Sequence, residues 1–382
     1  MTHPFPVRYH RFHDDANINF QLNRCLTWAG ESLAPELADA AGRITDFLGW
    51  KRETLALARR LEGQGRLRES AYCYRAAEFF MNANDSDKRT AYHDFVRIVS
   101  SVYPQFAARR IRVSYRDSWL PAWDIPAATE RPLGVIVIHG GFDSFIEELY
   151  PLFCVISEAG WRLIAFEGPG QGAALWENGL VMTPDWHVPV GAVLDHFGLQ
   201  EVCLVGMSLG GCLALRAAAR ESRVRRVIAF DALHDFRECI VGHLGARRRF
   251  LEALLALHAG QIVDWVARKA AGKDLLVDWG LRQGLQVMGT ESPYLYFQAL
   301  RQFNTRDVSS LITQDVLVLA GSQDHFVPVR QFHDQLAALV SARSLTARLF
   351  TDAEEASAHC QIGNIDLALR TMLAWARERS EM

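Results

Sequence analysis

The chain has 382 residues, 49% of them hydrophobic and 22% charged, with a net charge of −3. That length supplies a substantial core plus an accessory region, and the slightly acidic balance argues against nucleic acid as a principal partner. No stretch approaches the roughly 18 apolar residues of a membrane span, and residues 1–6 lack the apolar centre of a secretion signal, so a cytoplasmic protein is expected.

Seven cysteines without a Cys-x-x-Cys pair suit reduced thiols, and 13 histidines show no metal-ligand spacing. Neither a metal nor another cofactor is expected. Residues 35–61, 67–81 and 88–103 carry helical patterns, broken at Gly63-Gln64-Gly65 and Asn82-Ala83-Asn84-Asp85. Residues 71–80 faintly resemble one helical-repeat unit, and one unit cannot bury its own apolar face. The region 1–105 is therefore expected to pack on the rest and contribute to a cap.

Residues 110–115 and 119–124 read as an entering hairpin, and 134–138, 161–166, 201–205 and 224–230 as further strands. Helical patterns separate most of them, which predicts an α/β fold with a mostly parallel, doubly wound sheet. His139-Gly140-Gly141-Phe142 follows the central strand, where glycines permit close approach and His139 can orient the loop. Ser144-Phe145-Ile146-Glu147 has the spacing of a helix capping box, with Asp143 and Glu148 near enough to reach a substrate. Glu167-Gly168-Pro169-Gly170-Gln171-Gly172 lacks the spacing of a phosphate-binding loop and reads as a tight turn at the rim of a site.

Gly206-Met207-Ser208-Leu209-Gly210-Gly211 lies between the strand 201–205 and a small-residue helix. It spells a nucleophile elbow, in which a strained turn lifts a serine hydroxyl clear of the sheet. Negative charge on a tetrahedral intermediate there can be met by the Leu209 N–H and by one from the earlier loop, Phe142 or Gly141. Asp231, Asp235 and Glu238 follow the next strand as possible second acids that could hold a phenol or ketone of a substrate. Residues 231–315, about 85 with no strong strand signal, are too long for a connector and should form a helical cap. Within it Trp265, Trp279, Tyr294, Tyr296 and Phe297 could shape an apolar pocket, and Arg247-Arg248-Arg249 should solvate a helix.

Residues 315–321 form another strand, followed by Asp324 on a loop, with His325 and His333 as supporting or surface groups. A last strand, 346–350, leads to His359 and a helix from about 362 to 377. The order serine, acid, histidine assigns Ser208 as nucleophile, His359 as base and Asp324 as the acid that alone sets the histidine tautomer. Asp231 is the rival acid, and Cys360 a weaker rival nucleophile.

Through the elbow, the His-Gly-Gly loop and this order, residues 106–382 resemble the α/β-hydrolase superfamily. His139-Gly140-Gly141-Phe142-Asp143-Ser144, the 167–172 loop and Ala358-His359-Cys360-Gln361-Ile362-Gly363-Asn364 resemble more narrowly a branch that includes 2,6-dihydroxypseudooxynicotine hydrolases and polyketide-shortening hydrolases, often labelled dipeptidyl-aminopeptidase or acylaminoacyl-peptidase-like. The resemblance implies a hydrolase core of residues 106–230 and 316–382, a helical cap, and an acyl-enzyme that cleaves a carbon–carbon bond beside a ketone in an aromatic or polyketide-like substrate. The same residues would serve an esterase or thioesterase, with a free or carrier-protein-bound substrate. A catalytically idle ligand-binding protein is the alternative of another class, and a homodimer stays open.

Overall fold

The computed structural model describes residues 5–244 and 247–379. Eight strands make one sheet: β1 (Arg110–Tyr115), β2 (Ser118–Ile125), β3 (Val135–His139), β4 (Arg162–Phe166), β5 (Val202–Met207), β6 (Val224–Phe230), β7 (Asp315–Gly321) and β8 (Ser344–Phe350). Their order is β1-β2-β4-β3-β5-β6-β7-β8, antiparallel across β1-β2-β4 and parallel everywhere else. β5 and β7 are buried along their whole length. Helices cover both faces of such a sheet, so its central strands need apolar side chains on both sides. The loops that follow β3 to β8 open on the carboxyl edge, the usual place for ligands in such sheets.

The helical regions depart from expectation in two ways. Residues 35–61 are two helices, Ala34–Ala41 and Phe47–Gly63. Gly42 ends the first, and Asp46 starts the second by accepting the Gly49 N–H at 2.6 Å. A further helix, Ala16–Ala29, was not anticipated; Asp15 caps it by accepting the Asn17 and Ile18 N–H groups at 2.9 and 3.0 Å.

That helix conceals itself by an alternation of Asn17, Asn19, Gln21 and Asn23 with Ile18, Phe20 and Leu22, the period of a strand. Asn19 and Asn23 are buried because they serve the backbone beside them. Asn19 Oδ1 accepts the Phe12 N–H at 2.7 Å, and Asn23 Oδ1 accepts the His10 N–H at 2.7 Å. The segment ahead of the helix continues to the far end of the chain: the Arg8 N–H donates to Gly363 O at 2.8 Å, and the Tyr9 N–H to Glu355 Oε2 at 2.9 Å.

Between β6 and β7 lie the helices Phe236–Val241, Arg247–Ala256, Gly260–Ala271, Leu275–Met288 and Pro293–Ala299. Trp279 joins this insert to the N-terminal helices. Its ring stacks on Phe79 with centroids 4.7 Å apart, and its Nε1–H donates to Phe79 O at 3.1 Å. Among the described residues no helix is long and apolar enough to cross a membrane.

Candidate active site

Ser208 sits directly after β5 with φ 60° and ψ −128°, a conformation that costs a non-glycine residue about 1–3 kcal/mol. Two features hold it there. The Ser208 N–H donates to Phe230 O at 2.8 Å, and the helix Leu209–Ala218 is buried against the sheet. The turn is possible only because Gly206 lacks a side chain: a Cβ there would come within 1.9 Å of Gly210 O.

Ser208 Oγ lies 2.8 Å from His359 Nε2, and His359 Nδ1 lies 2.6 Å from Asp324 Oδ2. Asp324 is itself anchored, since its Oδ1 accepts the Phe326 and Val327 N–H groups at 2.7 and 2.9 Å. Asp231 is there as well, with Oδ2 2.9 Å from the same His359 Nδ1. The expectation that Asp324 alone faces the histidine is corrected: two carboxylates share one N–H. Asp231 does not reach a substrate as the second-acid reading supposed. Its Oδ2 also accepts the Cys360 N–H at 2.5 Å, and its Oδ1 accepts from Gln361 Nε2 at 3.1 Å. Left-handed backbone at Asp231, Cys360 and Gln361 turns these groups toward one another.

Burial alone would lower the basicity of His359, but Asp324 and Asp231 outweigh it and hold the imidazole well above its ordinary 6.5. The two acids diverge in response. Burial raises the Asp324 carboxyl above its usual range, whereas for Asp231 the contacts to His359 and Cys360 N–H overcome burial and lower it. Asp231, His359 and Cys360 are close enough to share a metal ion. Their donor atoms are otherwise engaged, however, and burial pushes the Cys360 thiol up to about 11, which suits neither a ligand nor a nucleophile.

The loop after β3 lies against the elbow; a Cβ on Gly141 would come within 2.9 Å of Leu209 N. The Gly141 N–H donates to Ser144 Oγ at 2.9 Å, which of the two candidate donors favours Phe142. Ser144 therefore folds back on its own loop and caps no helix, and Glu147 is buried beside Glu167. Glu167 accepts the Ile146 and Ala173 N–H groups at 3.0 and 2.7 Å, and burial followed by the Glu147 charge pushes it up to about 8. His139 is fully buried and neutral, with burial lowering it to about 4. Trp186 Nε1–H donates to His139 Nε2 at 3.0 Å, so Nδ1 carries the proton and donates to Gly140 O at 3.0 Å.

Residues 135–357 match the model of the family described as alpha/beta hydrolase fold. The chain belongs to the α/β-hydrolase fold family. Its relatives include the hydrolase acrC of Aspergillus aculeatus, 26% identical over 97% of this chain and 98% of that protein. The hydrolyase poxO of Penicillium oxalicum is also 26% identical, over 94% of this chain and 96% of its own. Among solved structures, 2,6-dihydroxy-pseudo-oxynicotine hydrolase superposes with a TM-score of 0.65 at 21% identity, covering 93% of this chain and 95% of that one. AbyA5 superposes with a TM-score of 0.68 at 17% identity, covering 94% and 97%.

In this α/β hydrolase, Ser208 and His359 open on a cavity of about 950 Å³. Phe20, Trp28, Phe142, Leu233, Phe236 and Trp279 are among its walls. Trp279 is thus where the sequence suggested. Tyr294 is not: its hydroxyl bonds His258 Nδ1 at 3.0 Å, away from the cavity. Asp235 and Glu238 lie outside the cavity too. Asp235 caps the helix Phe236–Val241 and pairs with Arg306 at 2.9 Å, while Glu238 accepts from Arg248 Nη1 at 2.7 Å.

Phe20, Gln21, Arg24 and Trp28 line the cavity and escaped the sequence reading because their helix did. Phe20 packs against the His359 ring, with centroids 6.0 Å apart. Arg24 forks onto Glu148, with Nε 2.6 Å from Oε1 and Nη2 2.8 Å from Oε2, and also bonds Asp143. Arg75 joins the group, with Nε 2.8 Å from Glu148 Oε2 and Nη1 2.8 Å from Glu78 Oε2. The charges of Asp143 and Glu148 are therefore spent on arginines rather than offered to a ligand. The Asp15 cap and Gly30 stop were the available signals for this helix.

Proposed function

We propose that this hydrolase works through an acyl-enzyme on Ser208 and cleaves the carbon–carbon bond beside a ketone in an aromatic or polyketide-like substrate. The observation that carries the reading is the 2.8 Å contact of Ser208 Oγ with His359 Nε2 at the floor of a large, apolar-walled cavity. In this reading Ser208 Oγ attacks one carbonyl of a 1,3-diketone while His359 takes its proton. The developing oxyanion is met by the N–H groups of Leu209 and Phe142. Collapse breaks the bond to the central carbon, whose electron pair is held as an enolate by the second carbonyl. His359 returns the proton to that carbon. It then takes a proton from water, and the resulting attack releases a carboxylic acid and restores Ser208.

Asp324 and Asp231 hold the imidazole in place and offset the charge it gains. The neighbour named for 2,6-dihydroxy-pseudo-oxynicotine hydrolysis supports the substrate class, since its likeness extends over the helical regions as well as the sheet. An ester or thioester would pass through the same acyl-enzyme with an oxygen or sulfur leaving group.

The test is intact-mass analysis after incubation with matched aryl 1,3-diketone, ester and thioester substrates. An acyl adduct on Ser208 together with a released methyl ketone is expected from the diketone. Adducts from the ester and thioester alone would replace carbon–carbon cleavage by ester or thioester hydrolysis. Ser208→Ala should lose about 10^4-fold or more in turnover with its melting temperature kept, and a pure variant with most of its activity would remove Ser208 from the mechanism.

A further inference from the structure

The 167–172 loop takes no part in the steps above, yet its glutamine reaches the residues that do. Gln171 is 2% exposed, and both ends of its amide are committed. Its Oε1 accepts the Gly168 N–H at 3.0 Å, and its Nε2 donates to Gly140 O at 2.6 Å and to Gly141 O at 3.1 Å. The Gly141 carbonyl and the Phe142 N–H belong to one peptide unit, and in a trans peptide they point in opposite directions within a common plane. No described peptide bond is cis. Whatever grips the carbonyl therefore aims the N–H.

We infer that Gln171 is a positioning residue for the reaction: by holding Gly141 O it directs the Phe142 N–H at the oxyanion formed on Ser208. This rests on the serine mechanism proposed above. The flanking peptides are secured from elsewhere. His139 Nδ1 shares Gly140 O at 3.0 Å, Gln283 Nε2 donates to Phe142 O at 3.1 Å, and Arg75 Nη2 donates to Asp143 O at 2.5 Å. Among the described residues, Gln171 is the only group that donates to Gly141 O. Loss of its amide should thus loosen one peptide while its neighbours stay held.

The experiment uses an aryl trifluoromethyl ketone, which adds reversibly to Ser208 as a hemiketal with an oxyanion, beside a ligand of the same shape without the carbonyl. Gln171→Met, of similar length but without donor or acceptor, should bind the ketone about 10–100-fold more weakly, part of what outright loss of an oxyanion donor costs. It should lower kcat on an aryl ester by a similar factor while KM and the carbonyl-free ligand move by less than about twofold. Gln171→Leu likewise removes the donor with a smaller apolar side chain, and should show the same split if the Met variant fails to fold.

Ketone affinity unchanged in a folded variant, or falling in step with the carbonyl-free ligand, would overturn the inference and leave Ser208 untouched. If the wild-type protein forms no adduct with the ketone, the serine mechanism falls and this inference with it.

Discussion

Ser208, Asp231, Asp324 and His359 follow the ends of β5, β6, β7 and β8, whereas Phe20, Arg24, Phe79 and Trp279 come from helices ahead of the sheet and from the insert between β6 and β7. The first region is held by backbone. Parallel strands fix where each loop begins, and left-handed residues at 208, 231 and 360 aim the side chains. The second is held through side chains, by a stacked Phe79–Trp279 pair whose indole N–H also donates to Phe79 O and by a buried Arg24–Glu148–Arg75 cluster. The difference teaches that bond chemistry and substrate choice can change independently here. Altering the walls leaves the strand ends in place, although severing one partner of the buried cluster should cost about 3–5 kcal/mol of stability.

The sharpest way to break this comparison is to attack the strand-end region twice. Asp324→Asn alone should leave measurable activity because Asp231 Oδ2 still faces His359 Nδ1, whereas Asp324→Asn with Asp231→Asn should fall about 10^4-fold, as when a triad has no acid. Steady-state kcat/KM of the three proteins decides it, and equal loss in the Asp324 single and the double variant would show that Asp231 lends nothing.

Changes in the wall should be smaller and selective. Trp279→Ala should lower the ratio of kcat/KM on a bulky aryl substrate to that on a small acetate ester by about tenfold, while Tyr294→Ala, outside the cavity, should change it by less than about twofold. A Tyr294 effect as large as that of Trp279 would move the boundary of the site. The smallest expected effect is on pH. The proposed mechanism needs neutral His359, whose carboxylate neighbours raise it, so activity should fall as pH drops through a limb lying above 6.5. Asp231→Asn removes one of those neighbours and should shift the limb to lower pH. A pH–rate profile showing the opposite shift would contradict the shared N–H.

How much of this was legible in the sequence follows the same division. The sheet, the elbow and the Ser208, Asp324 and His359 positions were readable because strand periodicity and turn chemistry are local. Asp231 was visible only as a rival acid or as a contact to a substrate, since its place beside His359 depends on the registers of β6, β7 and β8 and on backbone turns at both partners. Ser144 and Glu147 matched a capping box by spacing, but a donor three residues earlier and burial against Glu167 drew them elsewhere. The helix Ala16–Ala29 escaped because its polar residues are buried to satisfy a neighbouring extended segment, a long-range demand that imposes a strand-like alternation.

The pairing of Arg8 with Gly363 and of Tyr9 with Glu355 gives the molecule a schedule. Residues 8 and 9 close against the loop that carries His359, contacts of very high sequence separation whose loop-closure entropy defers them to late in folding. Helices and neighbouring strands can form from contacts closer in sequence, but the histidine's surroundings are completed only when residues 8 and 9 have docked. Ser208 can thus stand in place on its strand end before the loop that faces it is fastened down.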